Sequence, residues 1–214
     1  KIVLYPTNDN YLLWLNKIEY QLNSKCFLPF NSSNLKQSIK KQIQYEYCKK
    51  LNIPHPKSIH FNVSTYSNEL KHLNLPIIIK PEKRNDGLGF KNIIISKAEE
   101  IEVFINLLKI KGAASKFLLA SEIIPGNGEN IYSYVAYRNK KGKILNEWTG
   151  RKLAQYPDDF GVFSTGTIYC DKKLNELGRK LVNEMDLTGF VQPEFKFDAR
   201  DGEYKLIEIN LRPM

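Results

Sequence analysis

The sequence predicts an α+β protein in which antiparallel hairpins alternate with single helices. Three observations point that way. Short runs rich in β-formers come in pairs joined by tight turns: residues 76–81 (PIIIKP) with 93–95 (III), 131–138 with 143–151, and 194–198 with 204–210. Apolar residues at helical spacing fall between these pairs rather than after every strand. No internal repeat and no low-complexity tract interrupts the pattern. A doubly wound sheet needs strict strand–helix alternation, whereas hairpins with interspersed helices indicate α+β.

Taken in order, Ile2, Val3 and Leu4 read as a short strand, followed by a turn at Pro6, Thr7, Asn8 and Asp9. A helical run then places Leu15, Ile18 and Leu22 on one face. Residues 31–34 form a polar linker with cap-forming side chains. Ile39, Ile43, Tyr47 and Leu51, at four-residue steps, predict an amphipathic helix that ends at Asn52, because Pro54 and Pro56 forbid its continuation. The turn at residues 85–89 joins the first hairpin, and Ile101, Phe104, Ile105 and Leu108 mark a helix ending near Gly112. Residues 117–124 are a buried strand broken by Pro125 and Gly126. Leu174, Leu177, Leu181, Val182 and Met185 form the last helical stripe, and Asp201-Gly202 turns the final hairpin.

The 214 residues, 42% hydrophobic, suffice for one large domain or two small ones. The net charge of +9 comes from lysines scattered along the chain within a general Lys, Asn and Ile bias, so no nucleic-acid partner is expected. No apolar run approaches the ~20 residues that cross a bilayer. Three cysteines, Cys26, Cys48 and Cys170, lie far apart without CxxC spacing. That argues against a disulfide framework or a zinc site and for a reducing, cytoplasmic setting, with all three as buried or half-buried small hydrophobes. The chain does not begin with Met and stops at Pro213-Met214 directly after a strand-like run, so it reads as part of a longer protein.

The final hairpin carries the chemistry. Glu208 and Asn210 stand two apart on a strand and share a face, and Glu194 on the partner strand can bring a second carboxylate alongside. Oxygen donors of this kind suit magnesium, which one or two carboxylates hold together with substrate phosphates. Arg212 follows at the next same-face position, where a guanidinium can neutralise a phosphoryl group. A plain solvent-exposed hairpin with alternating polar residues stays open on the pattern alone. Lys80, at the end of an apolar strand, either meets an anion or snorkels to water.

The segments EFKFD and YKLIEINLRP resemble the ATP-grasp signature, an acidic strand followed by E-x-N-x-R. The resemblance extends from about residue 34 to 214 and lies in the carboxylate–amine ligase branch, with D-aspartate ligases and carbamoyl-phosphate synthases among its relatives. It implies that Glu194, Glu208 and Asn210 bind metal, two magnesium ions with manganese as the alternative, and that Arg212 binds the phosphoryl group and the reacting carboxylate. Lys41, ahead of the IPHP turn, and Lys80 match the two lysines that bind ATP. The loop at residues 86–91 falls where members cover the phosphates with glycines. The segment FLLASEIIPGNGE resembles the adenine hinge, with Ser121, Glu122, Ile123 and Ile124 around the base and Glu129 on the ribose. Arg151, beside Lys152 in WTGRKLAQYPDDFG, resembles a basic group near the phosphates, giving Arg212, Lys80 and Arg151 as the catalytic set, while Asp158 and Asp159 read as loop residues.

The implied fold has residues 1–36 as the tail of a preceding Rossmann-like domain with its linker, and 37–55 as the helix leading into the ATP-grasp core. Residues 56–123 make a small lid and 124–214 an antiparallel-sheet catalytic part, truncated at its C-terminus. The implied function is an ATP- and magnesium-dependent ligase that turns a carboxylate into an acyl phosphate for attack by an amine. A bicarbonate-using synthase or carboxylase subunit and a non-catalytic nucleotide-binding module are the alternatives. Expected partners are a small carboxylate and a small amine, with no nucleic acid and no membrane; a homodimer is left open.

Overall fold

The computed structural model describes residues 2–22, 24–30, 33–66, 68–82, 88–156 and 161–213. In chain order the elements are β1 (Ile2–Val3), α1 (Asp9–Lys17), α2 (Glu19–Leu22), β2 (Cys26–Phe27), α3 (Leu35–Ser38), α4 (Lys41–Leu51), β3 (Ser58–Asn62), β4 (Ile77–Pro81), β5 (Ile93–Ile95), α5 (Ala98–Ile110), β6 (Phe117–Glu122), β7 (Ile131–Arg138), β8 (Ile144–Tyr156), β9 (Val162–Ile168), α6 (Lys172–Glu184), β10 (Gly189–Asp198) and β11 (Glu203–Asn210). The chain divides into two compact units, Lys1–His55 with Pro125–Met214, and Pro56–Ile124. The α+β class and the three predicted hairpins are present.

The larger unit is built on a five-stranded antiparallel sheet in the order β11-β10-β7-β8-β9. One face carries Tyr134, Ala136, Phe195, Tyr204 and Leu206 into a core with Leu174, Leu181 and Val182 of α6. Gly178 lets α6 lie directly on the Tyr134 ring: a Cβ there would stand 2.1 Å from Tyr134 Cγ. The Tyr134 hydroxyl donates to Glu147 (2.6 Å), which also accepts from Arg179 Nε (2.7 Å). The smaller unit has the sheet β3-β6-β4-β5, also antiparallel, with Ile101, Ile105 and Leu108 of α5 packed in a core with Ile77, Ile79, Leu118 and Ala120.

Two helical expectations need correction. The first run is broken at Ile18, which caps α1, and its buried residues are Leu12 and Leu15 rather than a stripe through Leu22. The predicted face of α4 is rotated. Ile39 precedes the helix, and the buried residues are Gln44, Tyr45, Cys48 and Leu51. Gln44 explains the rotation. Its amide bonds both backbone groups of Ile209 on β11, Nε2 donating to the carbonyl (3.2 Å) and Oε1 accepting from the N–H (3.0 Å). A buried amide with both groups satisfied locks the helix phase more firmly than two half-buried apolar side chains. The helix does end at Asn52, in the left-handed region with φ 52°.

Smaller differences follow. Asn34 precedes α3 but makes no side-chain cap; its Nδ2 donates instead to the carbonyls of Met185 (3.2 Å) and Asp186 (3.3 Å). Asn31 and Ser32 lie outside the described residues. β8 runs on to Tyr156, and β2, β3 and β9 had no sequence counterpart. All three cysteines are free; Cys26 and Cys48 are buried as expected, whereas Cys170 is exposed because it follows an edge strand. Among the described residues, no helix is long and apolar enough to cross a membrane.

The end of β10 holds a compact charge cluster. Asp198, fully buried, accepts from Arg200 Nε (2.9 Å) and Nη2 (2.6 Å), the Arg200 backbone N–H (3.1 Å) and Lys205 Nζ (2.7 Å). The Arg200 guanidinium foremost, then Lys205, holds its carboxyl well below the usual carboxylate range. Asp198→Asn is expected to cost about 1.5–3 kcal/mol at pH 7, the scale of hydrogen bonds to a charged group. A depressed folded pKa stabilises above the unfolded value of about 3.9 and loses that contribution as pH falls through the folded one. Urea midpoints at pH 7 and in strong acid check this: the gap between the two proteins should close in acid.

Candidate functional site

β10 and β11 are registered so that Glu194 lies opposite Glu208 and Gln192 opposite Asn210, with the ladder irregular immediately after Glu194. Alternation then gives Glu194, Glu208 and Asn210 one face. Asn210 Nδ2 donates to Glu194 Oε1 (3.0 Å), and Lys41 Nζ stands 2.7 Å from Glu208 Oε2. Lys41 reaches it because it opens α4, the helix that Gln44 fixes to β11. Glu194 is 4% exposed. Burial first, and the Glu208 carboxylate second, push its carboxyl up to about 7, against the pull of Lys152, Lys41 and Arg212. Burial works against the charge on Lys41, yet Glu208, Tyr45 and Glu194 raise its amino group above the ordinary lysine range.

The cations around this pair come from three directions. Arg212, buried just past β11, donates from Nε to Asp9 Oδ1 (2.9 Å). Lys152 on β8 is 3% exposed; its Nζ donates to Gln155 Oε1 (3.1 Å) and lies 5.2 Å from the centre of the Phe163 ring. Arg151 points elsewhere: Nε donates to the Glu129 carbonyl (2.7 Å), Nη2 stands 3.4 Å from Glu129 Oε2, and the guanidinium lies over Tyr132. Strand register explains the split. Glu194, Ser133 and Gly150 form one row across the sheet, and Lys152 shares the Gly150 face. Phe195, Tyr132 and Arg151 form the adjacent row, on the opposite face. The basic pair RK was visible in the sequence; which member faces the carboxylates was set by pairings between distant segments.

In the smaller unit, Lys80 is the second-last residue of β4, half-buried and opposite Leu119. Ser121 Oγ accepts from Ser58 Oγ (2.9 Å), and the Glu122 carboxylate accepts from the N–H (2.8 Å) and Nδ2 (3.0 Å) of Asn74. The N–H groups of Glu122 and Ile123 donate to the carbonyls of Lys57 (2.9 Å) and Pro76 (3.1 Å), and Ile124 is buried. Of the loop at residues 86–91, Asp86 and Gly87 lie outside the described residues, as do Asp158 and Asp159.

Among the described residues no three His, Cys, Asp or Glu side chains converge as a metal cage. The cluster is two carboxylates and an amide, oxygen donors of the kind that hard cations take.

No protein-family model matches the chain. Solved structures do. An N5-carboxyaminoimidazole ribonucleotide synthetase from Thermus thermophilus superposes with a TM-score of 0.69 at 16% identity, covering 93% of this chain and 52% of that one. A D-alanine–D-alanine ligase from Bacillus anthracis gives 0.65 at 15% identity, covering 92% and 64%. The chain has the ATP-grasp fold. In sequence the chain is 24% identical over 225 residues to a D-aspartate ligase of Enterococcus faecium (strain Aus0004), covering 99% of the chain. It spans about half of that relative's length, 53%.

Proposed function

We propose that the protein containing this chain is an ATP- and magnesium-dependent ligase that converts a carboxylate into an acyl phosphate for attack by an amine. The observation that carries the reading is the facing pair Glu194 and Glu208, with the Asn210 amide on one and the Lys41 ammonium on the other. Two carboxylates on one face, one of them buried, are costly unless cations join them. Asn210 spends its donor on Glu194 and keeps its amide oxygen as an acceptor, so all three residues can offer oxygen to a divalent ion. Magnesium, when bound there, supplies positive charge where phosphate oxygens develop negative charge.

The chain's own groups do the rest by position. Lys41 and Lys152 neutralise phosphate oxygens, and Arg212 spreads the charge of the transferring phosphoryl group and the reacting carboxylate. Lys152 takes this place in preference to Arg151, which orients Glu129 for the ribose hydroxyls. In the smaller unit Lys80 takes phosphate oxygens, and Ser121 and Ile123 flank the base. The Glu122 carbonyl and the Ile124 N–H serve the adenine edge, because the N–H groups of Glu122 and Ile123 are committed to the sheet. Free thiols fit a reducing, cytoplasmic setting.

The name of the sequence relative makes D-aspartate the first acid to try. In the whole protein, calorimetry should find ATP binding that requires magnesium, and ADP release should require both D-aspartate and an amine from a panel. Bicarbonate and L-aspartate serve as the competing acids; release with bicarbonate alone moves the reading to a carboxylase-like subunit. Binding without release for any pair leaves a nucleotide-binding module, and no nucleotide binding overturns the reading.

A further inference from the structure

Arg212 carries five N–H donors, and the structure accounts for few of them. Nε donates to Asp9 Oδ1 at 2.9 Å, and Nη1 makes one long contact to the Pro213 carbonyl at 3.5 Å. Among the described residues Nη2 meets no protein acceptor. The partner that holds Nε is 203 residues away in sequence and comes from the first turn of α1. Its backbone is well anchored. Asn8 caps the helix by accepting from the Tyr11 N–H (2.9 Å), and Leu12 and Leu15, one turn on, are buried in the core of the same unit. Asp9 therefore projects its carboxylate toward Arg212 from an anchored backbone.

We infer that Asp9 is a positioning residue: it holds the Arg212 guanidinium by Nε and thereby keeps the terminal nitrogens for an anionic group of the substrate. The competing partners are Glu194 and Glu208. The Arg212 charge acts on the Glu194 carboxyl, less than Lys152 and Lys41 do, and Glu208 faces Glu194 across the ladder. An arginine side chain is long and has many rotamers, so without a tether on Nε it would turn toward that pair. It would then neutralise the carboxylates instead of meeting the phosphoryl group. A carboxylate on Nε fixes the plane of the guanidinium while leaving its outer fork unspent. The inference rests on the ligase reading.

The test uses the whole protein loaded with MgADP, with inorganic phosphate as the probe of the anion held by Arg212. Asp9→Ala, Asp9→Asn, Asp9→Glu, Arg212→Ala and the double variant Asp9→Ala/Arg212→Ala are compared by phosphate affinity, MgADP affinity and thermal melting. Asp9→Ala should lose phosphate affinity about tenfold, the lower end of what removing an orienting partner costs. Its MgADP affinity should stay within about twofold, as for an independent site. Asp9→Glu should recover part of the loss, and Asp9→Asn should fall between. The double variant should bind phosphate no more weakly than Arg212→Ala alone, because Asp9 acts through Arg212. Asp9→Asn preserves the shape of the side chain, so it decides the matter if Asp9→Ala melts early. Phosphate affinity that ignores Asp9, additive losses in the double variant, or no phosphate binding to the MgADP-loaded unsubstituted protein overturns the inference. No MgADP binding by the unsubstituted protein overturns the ligase reading with it.

Discussion

Glu208→Gln should slow phosphoryl transfer by about 10²–10³-fold, the scale of losing one preorganised group at a developing charge. Nucleotide affinity should fall far less. Gln keeps the size of the side chain and one acceptor oxygen but removes a full negative charge opposite Glu194. A cation held by these residues would lose a charged ligand, and phosphoryl transfer depends on such a charge more than binding does. The fold should tolerate the change. The Lys41–Glu208 pair is partly exposed on both sides, 29% and 36%, and such pairs contribute about 0–1 kcal/mol. Glu194 also loses the like charge that, after burial, does most to raise its carboxyl. Rapid-quench measurement of ADP formation, beside calorimetry with MgATP, separates the effects. Equal losses in both would reduce Glu208 to a binding group, and unchanged turnover would remove it from the metal site.

What the sequence revealed was local, and what it hid was set by partners far along the chain. The carboxylate strand was legible because Glu208 and Asn210 are two residues apart and alternation is a property of any strand. Its partner was legible because Asp201-Gly202 can only turn there. The phase of α4 was not, because Gln44 is buried by a bond to Ile209, 165 residues away, and looks like a surface residue in a helical wheel. Arg151 and Lys152 could not be told apart without the register of β7 against β10. The edge strands β3 and β9 are not legible in the sequence because neither shows an apolar run: β9 reads VFSTGTI, and each pairs on one side alone. Asp9 resembled any turn carboxylate until the fold brought it to Arg212.

Glu194→Gln should stabilise the unliganded fold at pH 8 and reduce its stabilisation by MgATP. Glu194 is 4% exposed, and burial, then Glu208, raises its carboxyl from 4.5 to about 7. Between those values the folded chain holds a proton that the unfolded chain has released. A raised carboxyl therefore contributes its stability in full below the unfolded value and loses it as pH climbs through the folded one. Above that, the buried charge costs the fold up to about 3 kcal/mol, at about 1.4 kcal/mol per pKa unit. Gln fills the same space and never ionises. Lys41, Lys152 and Arg212 each lose a neighbouring charge, which offsets part of the gain, so a net increase of about 1–2 kcal/mol is expected. Denaturant midpoints at pH 5 and pH 8, with and without magnesium and nucleotide, read it directly. The unsubstituted protein should weaken from pH 5 to pH 8 relative to the variant, and at pH 8 it should gain more stability from MgATP than the variant does. A variant that is less stable at pH 8 would mean that the three cations already satisfy Glu194 as a structural ion cluster. In that case the carboxylate would not be waiting for a metal.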